Sequence, residues 1–224
     1  TGGAGQLAFA ETFAEEFQVP EICDSVSFAG RSDRAIACDL LEVHGHPADE
    51  TNWRRFHRSY VDRLPDALKR REGRVLPGVA DLLSSLRGRE QVLLGLLTGN
   101  VRDGAQAKLA HYELVEEFAF GGFGDESTDR NDIAAAALRE AERRISPGSS
   151  DSTTQLIGTM VIGDTVHDIR CARSIGALAV AVPTGGTPAD LLQAEQPDLY
   201  VETLEDHAEL LTLVDAALSD IDRD

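Results

Sequence analysis

The stretch Met160 to Gly176, MVIGDTVHDIRCARSIG, constrains this chain more than any other. Met160, Val161 and Ile162 are apolar without alternation, the pattern of a strand buried on both faces. Gly163 permits a sharp turn. Asp164 then stands at the strand's carboxyl end, where open α/β sheets place their ligands. Thr165 can cap the following helix, and Asp168 falls on its first turn, four residues after Asp164. Two carboxylates so spaced converge on one point in front of a sheet. They suit a hard divalent cation such as Mg²⁺, which takes a few carboxylate oxygens plus water and phosphate. The plainer alternative has Asp164 ending a strand and Asp168 enriching a helix N-terminus, worth about 0.3–1 kcal/mol through the helix dipole.

The rest of the chain supplies a setting for that stretch. Gln6 to Phe17 is amphipathic, with Phe9, Phe13 and Phe17 recurring every four residues, and Pro20 ends it. Ser32 to Val43 and about Asp49 to Arg71 extend the helical pattern, the latter with a bend expected near Pro65. No strand signal occurs in the first seventy residues. From Pro77 the character changes. PGVADLLSSLRG is a helix with proline at its start and Gly88 after its end. Gln91 to Leu97 is expected to be a buried strand, followed by Thr98, Gly99, Asn100 and a helix to about Tyr112. Phe118 to Phe120 make a brief strand before GGFGDES, and Asp132 to Arg144 is a helix. Ser146 to Gln155 is a polar loop, Leu178 to Val182 a strand, and a weaker strand follows at Asp198 to Val201. Strands alternating with helices predict a doubly wound parallel sheet. The division expected is an all-helical unit over residues 5–74, with residues 1–4 and 75–224 forming an α/β core.

Charge narrows the partners. Thirty-nine acidic residues against 21 basic ones give a formal charge of -18. Such a field repels nucleic acid and anionic membrane, and any phosphate site within it must be corrected locally by cations. Only Lys69 and Lys108 are lysines; the other basic residues are arginines. Cys23, Cys38 and Cys171 show no C-x-x-C spacing, no run approaches the ~18 apolar residues of a membrane span, and TGGAGQLAFAE lacks the basic start of a signal peptide. A reducing cytoplasm is the expected compartment.

Thr98 ends the second core strand as Asp164 ends the later one. Its hydroxyl, with the N–H groups of Gly99 and Asn100 opening a helix, makes a cradle for a phosphate oxygen, unless it is simply a helix-capping threonine. Arg130, at the start of the Asp132 helix, can neutralise a phosphoryl oxygen and steady a neighbouring carboxylate; its alternative is a salt bridge to Asp125, Glu126 or Asp129. Arg31, in the loop between two early helices, is a candidate for a substrate's remote anionic group. The arginine-rich run from Arg54 to Arg74 is either a solvated helix face or a local attractor for anions. Gly3, Gly5 and Ala8 spell G-x-G-x-x-A, but no strand precedes them, which argues against a dinucleotide cofactor. No G-x-S-x-G or cysteine–histidine pattern supports a serine or cysteine nucleophile.

Taken together, the strand leading to Thr98–Gly99–Asn100, then Arg130, then GDTVHD with Asp164 and Asp168, resemble motifs two, three and four of the haloacid dehalogenase (HAD) superfamily. The likeness is greatest to its phosphoglycolate-phosphatase-like phosphatases. The helical residues ahead of LPGVADLLSSL resemble that family's inserted cap. The resemblance implies a Rossmann-like parallel core with a small all-α cap, and Mg²⁺ held by Asp164 and Asp168. It also implies Thr98, Gly99, Asn100 and Arg130 around a phosphoryl group, and a small phosphorylated metabolite as substrate. Arg130 stands where lysine is usual, keeping the charge but not the shape.

One family feature has no counterpart in these residues. The superfamily's first strand ends in D-x-D-G-T, whose first aspartate attacks phosphorus and whose second acts as acid and base. It lies between the strands that carry Thr98 and Asp164. Thr1, Gly2 and Gly3 look like what directly follows that motif, so the expectation is a strand and turn encoded upstream. The activity implied is Mg²⁺-dependent hydrolysis of a phosphate monoester through an aspartyl-phosphate. A sugar-phosphate phosphomutase and a catalytically inactive phosphate or metabolite binder are the alternatives. A monomer or homodimer is expected.

Overall fold

A computed structural model describes residues 1–125, 127–145 and 156–221. The polar loop expected at 146–155 and the candidate ion-pair partner Glu126 lie outside the described residues. The helices are α1 (Ala4–Glu16), α2 (Asp33–Val43), α3 (Glu50–Arg70), α4 (Val79–Arg87), α5 (Arg102–His111), α6 (Arg130–Ile145), α7 (Val166–Ser174), α8 (Ala189–Ala194) and α9 (Ala208–Ile221). The strands are β1 (Gly95–Leu97), β2 (Phe120–Gly122), β3 (Met160–Gly163), β4 (Leu178–Ala181) and β5 (Leu199–Tyr200). Among the described residues no helix is long and apolar enough to cross a membrane.

The chain divides into two compact units. The first comprises Thr1–Arg74, Thr98–Glu116 and Phe123–Asp129, so the early helices share their unit with the Thr98 turn and α5. The four-residue phenylalanine spacing of α1 buries Phe9 and Phe13 against Phe56, Tyr60 and Leu64 of α3. The Phe9 and Phe56 ring centroids are 4.6 Å apart, a separation at which aromatic pairs add to plain area burial. Asp49 caps α3 by accepting the Asn52 N–H at 2.9 Å, and the helix continues through Pro65 to Arg70. The arginine-rich face is largely neutralised within this unit. Arg55 pairs with Glu16 at 2.7 Å, Arg70 with Glu11 at 2.7 Å, and Arg63 with Glu15. That pairing with α1 favours a solvated, ion-paired face over a free cationic attractor.

The second unit comprises Val75–Leu97, Glu117–Gly122 and the residues from Arg130 on. All its strand pairs are parallel: β1 with β2, and β3 with β4 with β5. Alternation along β4 sends Val180 into one layer with Leu82, Leu86 and Leu210, and sends Ala179 and Ala181 into another with Ile169, Ala172 and Leu192. Helices therefore cover both faces, as in a doubly wound core. Gly78 enters α4 at φ +79°, and a Cβ there would stand 2.1 Å from the Leu204 carbonyl carbon. Only glycine fits that approach.

The sheet is in two pieces. Among the described residues β1 pairs only with β2 and β3 only with β4, leaving one edge of each unpaired. A cavity of about 270 Å³, lined by Leu96, Leu97, Phe120, Met160 and Val161 among others, opens at those edges. Consequently β3 is not buried on both faces as its apolar run predicts: Ile162 is 39% exposed. Likewise β1 is three residues long and half-exposed rather than a buried strand from Gln91. Both strands lie along those unpaired edges. β2 also begins later than expected, because Gly121 and Gly122 take their places in register with Leu96 and Leu97.

Candidate functional site

In the second unit the Asp164–Asp168 corner is built by local geometry. Thr165 has an extended backbone and caps α7, its hydroxyl oxygen accepting the Asp168 N–H at 3.3 Å. Asp168 answers in kind: its Oδ2 accepts the Thr165 N–H at 3.0 Å and the Thr165 hydroxyl at 2.8 Å. This reciprocal capping box locks the first turn of α7. The strand end must be glycine, since a Cβ on Gly163 would stand 2.2 Å from Asp168 Cβ.

Arg130, the first residue of α6, donates from Nη2 to Asp168 Oδ1 at 2.5 Å. The two side chains are only 11% and 13% exposed, so the pair is largely desolvated. Of the partners expected for Arg130, neither Asp125 nor Asp129 takes the guanidinium; Asp168 does. Among the described residues Arg130 Nε is buried without a hydrogen-bond partner. Asp168 thus spends both oxygens on Arg130 and Thr165. Asp164 is different, with a partly buried carboxylate that no side chain hydrogen-bonds among the described residues. Burial and the Asp168 charge push its pKa above the usual carboxylate value. Gly185 closes over it, where a Cβ would lie 2.1 Å from Asp164 Oδ2. Among the described residues no three His, Cys, Asp or Glu side chains gather as a ready metal cage. An open carboxylate crowded by a second one nevertheless suits Mg²⁺, which binds through one or two carboxylates and completes its shell with water and phosphate.

In the first unit the Thr98–Gly99–Asn100 turn differs in detail from the expectation. Thr98 does not cap a helix: α5 begins at Arg102, with Val101 in the capping position and no side-chain cap. Thr98 Oγ1 instead accepts the Asn100 N–H at 3.1 Å. The Asn100 N–H is therefore committed within the turn, while the Thr98 hydroxyl proton and the Gly99 N–H have no partner there. Arg31 pairs with Asp39 at 2.8 Å and donates to Ser27 O at 3.4 Å. Asp33 and Lys108 are drawn to this turn, and no sequence pattern marks either of them. Asp33 reads as an ordinary acid on the first turn of a helix, and Lys108 as a surface cation; only the contacts of the folded unit distinguish them.

A family model described as HAD-hydrolase-like matches residues 130–207, a span that includes Arg130, Asp164 and Asp168. The chain is 32% identical over 158 residues to a phosphoglycolate phosphatase of Synechococcus elongatus, covering 70% of this chain and 66% of that protein. The chain is similar to HAD-like hydrolases. A second relative by sequence is a putative pyrophosphatase PpaX of Caldanaerobacter subterraneus, 25% identical, covering 66% of this chain and 61% of that one. The chain thus spans slightly less than two thirds of the length of these curated relatives. Its fold matches CbbY from Rhodobacter sphaeroides, solved in complex with phosphate, with a TM-score of 0.69 at 18% identity over 92% of this chain and 89% of that one. A predicted phosphoglycolate phosphatase from Haemophilus somnus gives a TM-score of 0.65 at 16% identity over 93% and 90%. These likenesses establish the fold.

Proposed function

We propose that this protein hydrolyses a small phosphate monoester with the help of Mg²⁺, 2-phosphoglycolate being the first substrate to test. The observation that carries this reading is the Asp164–Asp168–Arg130 corner, which pairs one open carboxylate with one that anchors a buried guanidinium. The 32% identity to a phosphoglycolate phosphatase supports the substrate class.

In this account Asp164 and Asp168 would hold Mg²⁺, Asp168 directly or through water, while Asp168 also orients Arg130. Bound Mg²⁺ supplies charge that offsets the negative phosphoryl oxygens. The Thr98 hydroxyl and Gly99 N–H are the donors proposed for phosphoryl oxygens, with Asn100 shaping the turn, and Arg130 is proposed to supply positive charge. Arg31 orients a remote anionic group of the substrate. The nucleophile this reading calls for is an aspartate of the full encoded protein. Its carboxylate oxygen bonds to phosphorus as the ester P–O bond breaks, and the departing alkoxide takes a proton. Water then attacks phosphorus, releasing inorganic phosphate and restoring the carboxylate. The residues of 5–74 act as the cap that selects the substrate and excludes solvent. The reaction belongs in the cytoplasm, in a monomer or homodimer, with no nucleic acid or membrane involved.

The full encoded protein is expected to release phosphate from 2-phosphoglycolate only with Mg²⁺. Phosphate binding without turnover in the full encoded protein would favour a second reading, an inactive phosphate or metabolite binder.

A further inference from the structure

Asp33 is 4% exposed, yet it brings a carboxylate into the first unit. It is tied to three consecutive residues of one turn. Its N–H donates to Gly99 O at 2.7 Å, its Oδ1 accepts the Asn100 Nδ2 at 3.1 Å, and its Oδ2 accepts the Val101 N–H at 2.9 Å. Lys108 of α5 donates to Asn100 Oδ1 at 2.9 Å, so the Asn100 amide bridges a buried anion and a buried cation. The Tyr60 hydroxyl, on a fully buried ring, faces the Asp33 charge. The turn is also clamped by close backbone approach. A Cβ on Gly99 would stand 2.3 Å from Arg31 O, and one on Gly124 would stand 2.1 Å from Gly99 O. Gly124 N–H donates to Asn100 O at 2.8 Å.

Stability alone gives a poor account of this arrangement. Burial drives the Asp33 pKa up and the Lys108 pKa down, the mark of two charges held where water would serve them better. What a carboxylate offers, and a neutral side chain does not, is acceptance of the Asn100 and Val101 donors together by one rigid group. We propose that Asp33 is a positioning residue for the phosphate-binding turn: it fixes Asn100 and Val101, and through Asn100 it keeps the Lys108 ammonium on the turn. Affinity for phosphoryl oxygens at Thr98 and Gly99 then depends on a residue that never touches them. The same contacts join the Arg31–Asp33 backbone to the turn, so a substrate's phosphate end and its remote end are read by one connected piece. This inference rests on the role given to Thr98 and Gly99 above.

The test measures binding of inorganic phosphate, with Mg²⁺ present, to the full encoded protein by calorimetry, alongside amide hydrogen exchange over residues 98–102. Asp33→Asn is expected to weaken phosphate binding about 10-fold or more and to speed exchange at Val101 selectively. Asn100→Ala should weaken binding similarly, and the double variant should be little worse than either single, because both act through one contact. If Asp33→Asn does not fold, Lys108→Met takes its place, with a weakening of at least about 3-fold expected. Unchanged phosphate affinity in a folded Asp33→Asn or Lys108→Met protein, with the wild type binding normally, would overturn the inference and leave the proposed function intact. A wild type that binds no phosphate at all would overturn the proposed function, and the inference with it.

Discussion

Arg130 Nη2 and Asp168 Oδ1 meet at 2.5 Å, joining the first residue of α6 to the first turn of α7. Asp168 at the same time closes the cap of α7 on Thr165. One carboxylate therefore sets both the direction of a guanidinium and the start of the helix behind Asp164. Removing Arg130 leaves that carboxylate buried without its cation. Arg130→Ala is expected to cost about 3–5 kcal/mol in urea denaturation, and Arg130→Lys distinctly less, because charge survives while the planar geometry does not.

Asp164 should trade stability for function. Its pKa is raised by burial and by the Asp168 charge, so the folded state binds its proton more tightly than the unfolded state does. The stabilisation from that proton is complete below the ordinary carboxylate range and is lost as pH rises through the raised value. In chelator at neutral pH, Asp164→Asn is expected to raise Tm by roughly 1–3 °C, a figure discounted for partial exposure. That gain should vanish in acid. Calorimetric melting at two pH values checks it, and the variant should lose phosphatase activity.

Two glycines separate support from chemistry. A methyl group on Gly163 would strike Asp168 Cβ at 2.2 Å, close to the backbone of the capped turn. Gly163→Ala should therefore destabilise by about 1–3 kcal/mol. On Gly185 the clash falls at 2.1 Å on Asp164 Oδ2, the movable end of a side chain. Gly185→Ala should lower Mg²⁺ affinity and turnover while changing the melting temperature little. Melting curves and metal titrations of the pair give the comparison.

Gly78→Ala serves as a site-independent control. Its positive φ and its approach to Leu204 predict a loss of about 2 kcal/mol or more. Activity per folded molecule should be unaffected.

Local chemistry made much of this legible in the sequence. T-x-x-D at Thr165 to Asp168 announces a helix cap, the spacing of Phe9, Phe13 and Phe17 announces a buried face, and the helices lie within a few residues of where periodicity puts them. Long-range facts were not legible. Whether β3 is covered depends on which strand lies beside it, and MVI reads the same with or without a neighbour. The burial of Asp33 depends on Asn100, Val101 and Lys108, residues far along the chain, whose approach no local pattern encodes. The pairing of Arg130 with Asp168 instead of Asp125 or Asp129 was likewise hidden, since only the fold brings α6 and α7 together.

The most direct measurement is phosphate release from 2-phosphoglycolate by the full encoded protein, with and without Mg²⁺, beside its Asp164→Asn variant. Turnover that needs Mg²⁺ and falls at least about 100-fold in the variant is the predicted result. Turnover that persists in chelator and in the variant would contradict the assignment of Asp164 as the residue that holds the metal.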